Sequence, residues 1–250
     1  EDRGYSLSLL KAPSGLGPLV PPDHAAWAGV TWQQDLADTQ ATISEADWLV
    51  VDHYSFDERW QDGIKNHVSR IMVIDDLADR FHSADLLLDQ NLGRAATDYD
   101  GLLRDACRRL IGPDFALLRP EFAANRRASL ARRRGARLSH LMISMGGTDA
   151  GGATATVLRA LVGAKLPSDL RITVVMGSRA PALEQVRSLA SQMPWTTEVL
   201  VDVRDMAVLM TQTDLAVGAG GSTTWERCCL GLPGVIVETA SNQAGAVAAI

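Results

Sequence analysis

Leu215-Ala-Val-Gly-Ala-Gly-Gly-Ser-Thr-Thr-Trp-Glu-Arg-Cys-Cys-Leu-Gly-Leu-Pro233 passes from a short apolar run, through a loop with Gly218, Gly220 and Gly221, into an amphipathic stretch closed by Gly-Leu-Pro. Strand, glycine loop and helix in that order form one βα step of an open α/β sheet. Glycines let the backbone approach a ligand closely, and the first amides of the helix lack partners and carry positive partial charge, so the segment suits a diphosphate. The spacing is not that of the dinucleotide fingerprint, because Thr223 stands where its third glycine belongs, and no Lys-Ser/Thr pair follows as in a P-loop. Glu226 lies four residues after Ser222, on the helix face above the loop, where its two oxygens suit the hydroxyls of a ribose. The plainer role for Glu226 is a first-turn acid complementing the helix dipole.

Working outward, His140-Leu-Met-Ile-Ser-Met-Gly-Gly-Thr-Asp149 repeats the design, with Gly146 and Gly147 between a strand and a helix. This loop suits a phosphate too, or is a glycine turn capped by Thr148 or Asp149. Downstream, Asn242 and Gln243 sit at a strand's carboxyl end, either as ligand-facing amides or, with Ser241, as a helix cap. Upstream, Trp48 to Asp52 reads as a buried strand that delivers His53 and Tyr54 at its carboxyl end, and the next strand ends at Asp75-Asp76. Two adjacent carboxylates suit a divalent cation, but no second oxygen-rich cluster accompanies them, and a cap or loop role is preferred.

Strands are also expected at Tyr5 to Leu10, Leu86 to Asp89, Arg109 to Ile111, Arg171 to Met176, Glu198 to Val201 and Val235 to Glu238, with helices such as Trp32 to Ser44 and Ala182 to Met193 between them. The alternation predicts an α/β fold with mostly parallel sheets. From Pro120 to Arg137 the chain turns basic and loses strand character, which sets a boundary between domains 1–125 and 126–250. That arginine cluster lacks the stacking aromatics or reading helix of a nucleic-acid site and reads as a solvated helix and linker. A 46% hydrophobic content supports a core in each half, and a net charge of -6 attracts neither nucleic acid nor an anionic membrane. Three cysteines without metal or disulfide spacing, and no apolar run of spanning length, fit the cytoplasm.

Taken in order, Val51-Asp-His-Tyr54, Ile74-Asp-Asp-Leu-Ala-Asp-Arg80, Leu88-Asp-Gln-Asn91, Gly112-Pro-Asp-Phe-Ala-Leu-Leu-Arg-Pro-Glu-Phe122, Ile143-Ser-Met-Gly-Gly-Thr-Asp149 and Gly218-Ala-Gly-Gly-Ser-Thr-Thr-Trp-Glu226 resemble the UDP-2,4-diacetamido-2,4,6-trideoxy-β-L-altropyranose hydrolases of pseudaminic acid biosynthesis. The resemblance implies a GT-B-like fold, two Rossmann-like domains facing a cleft, with UDP mainly on the second. By family pattern Gly146, Gly147 and Thr148 and the loop Gly220, Gly221 and Ser222 would hold the diphosphate, Glu226 the ribose, and Asn242 and Tyr54 the sugar side, with His53 and Gln243 beside them. The implied reaction is hydrolysis at the anomeric carbon with inversion, releasing UDP and the free sugar, without metal or cofactor. Its general base is a histidine in a Gly-x-Gly-His turn, a motif that the 250 residues do not contain. The chain therefore reads as an interior fragment with no catalytic residue of its own, the base being expected upstream of residue 1. Two other readings stand beside this one. A UDP-sugar glycosyltransferase could use the same scaffold, and one acting on lipid carriers would show an exposed apolar patch in its first domain, which is not legible here; a non-catalytic nucleotide-sugar binding protein would need no base.

Overall fold

A computed structural model describes residues 4–11, 24–135, 137–239 and 244–249. The chain divides into two compact units, Glu1–Ala116 and Leu117–Ile250, each built on a wholly parallel sheet.

In the first unit helix α1 (Trp32–Thr42) precedes strand β1 (Ala46–Val51), followed by α2 (Glu58–Ile64), β2 (Val68–Ile74), β3 (Leu86–Asp89) and β4 (Arg108–Ile111), and the sheet order is β1-β2-β3-β4. Both helices start on side-chain caps: Thr31 accepts from the Gln34 amide at 3.2 Å, and Asp57 from the Arg59 amide at 3.0 Å. Their apolar faces cover one side of the sheet, where Trp60, Ile64, Val51, Ile71 and Val73 are buried with Trp32 and Leu36 packed against them. The alternate residues of β1 point the other way, and Trp48 and Val50 remain 45% and 54% exposed. The run from Tyr5 to Leu10 is not the strand that its alternation predicts. It joins no ladder, and Tyr5, Leu7 and Leu9 stand in solvent; a period of two makes a strand only where a neighbour supplies hydrogen bonds and a face to bury.

The second unit opens with α3 (Pro120–Arg133) and continues β5 (His140–Ser144), α4 (Ala153–Val162), β6 (Arg171–Met176), α5 (Leu183–Ala190), β7 (Thr196–Val201), α6 (Met206–Gln212), β8 (Leu215–Ala219), α7 (Thr223–Leu230), β9 (Gly234–Val237) and α8 (Ala244–Ala249). The sheet order is β7-β6-β5-β8-β9. Its central strand is buried on both faces: Leu141 and Ile143 join the core under α4 and α5, and Met142 joins Phe122, Met206, Met210 and Leu230 on the other side. A strand covered on both faces reads as a continuous apolar run, and β5 does.

The division falls at Ala116/Leu117, ahead of α3, whereas the sequence boundary at 125/126 lies inside that helix. The arginines that suggest a linker are what anchor α3 to the second unit. Arg133 donates to the Met210 and Thr213 carbonyls at 2.7 and 2.9 Å, closing the end of α6, while Arg126 bonds the Cys229 carbonyl and Ser129 donates to Leu230 at 2.7 Å, at the end of α7. Cations at helix C-termini satisfy orphan carbonyls and complement the dipole. Arg132 adds an ion pair with Asp214 at 2.6 Å.

Candidate functional site

In the second unit the chain builds β5, β6 and β7 to one side of the sheet and then crosses to place β8 and β9 on the other, so the order reverses between β5 and β8. Ligands of open α/β sheets bind outside the strands' carboxyl ends at this kind of switch point. Both glycine loops leave the sheet there, from register partners Ser144 and Gly218.

The loop after β5 runs through Gly146, at φ +88°, Gly147 and Thr148, all exposed, to the buried Asp149. Gly177 at the end of β6 donates its amide to the Gly147 carbonyl at 3.0 Å, and a Cβ on Gly177 would stand 2.2 Å from that oxygen. The Asp149 carboxylate accepts from the Ala153 and Thr154 amides at 2.9 and 3.0 Å, so the N-terminus of α4 is closed by the chain's own anion.

The loop after β8 differs. Ser222, at the N-cap of α7, makes no side-chain cap, and no carboxylate bonds the first amides of the helix among the described residues. A Cβ at Gly147 or at Gly221 would meet nothing within 4 Å, so protein packing does not require glycine at either position, and space above both loops is open. Gly218 behaves otherwise: it lies within β8, and a Cβ there would come 2.3 Å from Nη1 of Arg227.

Glu226 is half-buried on α7. Burial, with Glu121 in support, pushes its carboxyl above the usual glutamate range against the opposing pull of Arg119 and Arg227. Arg119 Nη2 stands 3.7 Å from Glu226 Oε1, and Arg119 Nη1 stands 3.1 Å from Glu121. The structure thus brings Gly146, Gly147, Thr148, Gly220, Gly221, Ser222 and Glu226 onto one unit's switch point. Asn242 and Gln243 lie outside the described residues.

In the first unit His53 and Tyr54 follow β1 as expected. His53 Nδ1 accepts from the Ser55 amide at 3.1 Å and the ring stacks on Phe56, centroids 4.9 Å apart; burial lowers its pKa against the pull of Asp35 and Asp52. The Tyr54 ring packs against Trp27 and His24 at 5.6 and 5.7 Å, with the Arg80 guanidinium 6.0 Å from its centroid. Burial and a hydrogen bond to Asp76 push the Tyr54 hydroxyl well above its ordinary pKa. Asp75 is held in the interior: Arg80 pairs with its Oδ1 at 2.8 Å, the Ala78 amide donates to its Oδ2 at 2.9 Å, and Tyr99 Oη lies 2.9 Å from both Asp75 and Asp89. Burial opposes ionisation of Asp75, but Arg80 and His82 outweigh it and hold the carboxyl below the usual range. No group of three metal-ligating side chains occurs among the described residues. Sequence reasoning passes over Arg119, Arg227, His24 and Trp27, because nothing in their spacing marks them and only the fold brings them to these places.

No protein-family model matches the chain. It is similar to the spore coat polysaccharide biosynthesis protein SpsG of Bacillus subtilis, 31% identical over 132 residues that make up 53% of this chain and 38% of that protein. It is also similar to the UDP-2,4-diacetamido-2,4,6-trideoxy-beta-L-altropyranose hydrolase of Campylobacter jejuni, 26% identical over 183 residues, 73% of this chain and 62% of that one. In both, the chain spans less than two thirds of the relative's length. Among solved structures, Acinetobacter baumannii MurG aligns with a TM-score of 0.50 at 14% identity, over 89% of this chain and 60% of that chain. This likeness shows the fold: two Rossmann-like α/β units with parallel sheets, of GT-B type. No helix among the described residues is long and apolar enough to cross a membrane.

Proposed function

We propose that the chain is part of a GT-B enzyme acting on a UDP-linked sugar, and that its second unit binds the UDP. The observation that carries this reading is the pair of glycine loops at the β5/β8 switch point, one of them opening onto an uncapped helix N-terminus with Glu226 a turn further on. The amides of Gly220 to Thr223, with those of Gly146 to Thr148 opposite, take the diphosphate. Glu226 accepts from the ribose hydroxyls. Donors that hold a diphosphate also stabilise it as a leaving group, because they face the oxygen on which charge develops when the anomeric bond breaks.

The finer reading is hydrolysis of a UDP-linked diacetamido-trideoxy sugar with inversion, supported by the partial likeness to the Campylobacter hydrolase. Tyr54, held by Asp76 and packed on Trp27, would face the sugar, and water activated by a histidine base would be the acceptor. With no Gly-x-Gly-His in the 250 residues, this chain would bind UDP and turn over little.

A second reading, transfer of the sugar to another acceptor, is favoured by a specific feature of the first unit. Trp48 and Val50, on the outer face of β1, are 45% and 54% exposed, apolar surface of the kind an apolar acceptor would cover. Calorimetry with UDP tests the shared part: saturable binding that Glu226→Ala weakens supports it, and no binding by the folded chain refutes it. Product analysis on a protein carrying the histidine turn then separates free sugar from transferred sugar.

A further inference from the structure

Arg227 follows Glu226 on α7 but points into the unit. Its side chain is buried, 4% exposed, and crosses the sheet over two glycines: a Cβ would stand 2.3 Å from its Nη1 at Gly218 and 3.5 Å from its Nε at Gly234. The strand position at Gly218 is thus kept bare for the guanidinium, and Gly234 lies in ordinary contact with it. Its Nη2 donates to the Ala219 carbonyl at 3.1 Å and to Thr224 Oγ1 at 2.8 Å. Ala219 is the last residue of β8 and Thr224 lies in the first turn of α7, so one group ties together the two ends of the Gly220–Thr223 turn.

The charge is only partly balanced, by the more distant carboxylate of Glu226. No carboxylate lies within 4 Å of Arg227 among the described residues, whereas Arg80, similarly buried in the first unit, pairs with Asp75 at 2.8 Å. A guanidinium stays protonated even when buried, and an interior cation without a close counter-ion is stabilised by an anion that approaches it. The start of α7 has no side-chain cap, and the space at Gly221, in the turn that Arg227 ties together, is open.

We infer that Arg227 is a positioning residue for a nucleoside diphosphate: it clamps the Gly220–Thr223 turn from below and supplies the fixed positive charge that the diphosphate neutralises. This rests on the reading that the turn holds the diphosphate of UDP. Glu226 and Arg227 then divide the work, the first facing the ribose from the outer side of α7 and the second facing the phosphates from the inner side.

The test compares UDP with uridine on the 250-residue chain, by calorimetry for UDP and ligand-observed NMR for uridine. In Arg227→Met the affinity for UDP falls by about tenfold or more, as expected for removing a poorly screened charge near the ligand, while uridine affinity holds. Arg227→Lys, which keeps the charge, recovers most of the loss. Thr224→Val removes one of the two ties without touching the cation, gives a smaller loss of the same kind, and serves if Arg227→Met does not fold. Equal losses for UDP and uridine, or no loss for either, would overturn the inference and leave the site reading standing. Failure of the unmodified chain to bind UDP would remove both.

Discussion

The two glycine loops of the second unit share a design and differ in how it is completed. After β5, Asp149 turns back at φ +38° and places its carboxylate on the Ala153 and Thr154 amides, so α4 is capped from within. After β8, the corresponding helix start has no side-chain cap, and a buried arginine lies beneath it. A helix N-terminus attracts an anion in either case. The chain fills one with its own carboxylate and leaves the other open, and in the proposed site that difference, more than the glycines, favours the β8–α7 turn for the diphosphate. In the same proposal Gly146 to Thr148 would contribute loop amides from across the switch point.

The largest expected effect concerns the buried arginines that accompany this contrast. Asp75→Asn removes the buried partner of Arg80 and leaves it only the partly exposed Asp79, and urea denaturation should show a loss of about 3 kcal/mol, whereas Arg227→Met, which removes two hydrogen bonds but no close ion pair, should cost about 1–2 kcal/mol. Next, Gly221→Asp places a carboxylate at the open helix start, where a Cβ meets nothing within 4 Å. UDP affinity should fall by about a hundredfold or more, and the same change at Gly147 should lower it by less than about tenfold. Equal effects at the two glycines would break the comparison. A smaller effect is expected at the caps: Asp149→Ala should destabilise the chain by about 1–2 kcal/mol without weakening UDP, and Ser222→Ala should do neither.

The smallest expected effect is the pH dependence of UDP binding through Glu226. The ionised carboxylate is the form that accepts ribose hydroxyls, so affinity is full above its pKa and falls as pH drops through it. Burial raises that pKa from the ordinary 4.5, so the loss should begin at a higher pH than for an exposed glutamate. Its size should be about threefold to tenfold, that of one or two hydrogen bonds, and Glu226→Gln should flatten the profile.

Much of the second unit is legible in the sequence because its inner strands are covered on both faces: the strand Arg171–Met176 and the helix Thr223–Leu230 have the limits that pattern alone predicts. The glycine loops are legible as loops, but which of them is closed depends on the direction Asp149 takes, and the sequence leaves Asp149 and Thr148 as equal candidates. Gly218 reads as part of the second loop, yet it lies in a strand and makes space for Arg227, a packing need that no spacing rule encodes. The arginines of α3 read as solvated because their partners are helix-end carbonyls about eighty to a hundred residues away in sequence. Tyr5 to Leu10 carries the alternation of a strand without the neighbour that would make it one.

Amide chemical shifts during a UDP titration of the 250-residue chain give the sharpest discrimination. The largest changes should fall on Gly220 to Thr223, with secondary changes at Gly146 to Thr148 and little at Ala153 and Thr154, whose amides Asp149 already holds. Changes centred on Ala153 and Thr154, or confined to the first unit, would contradict the assignment of the diphosphate to the open turn after β8.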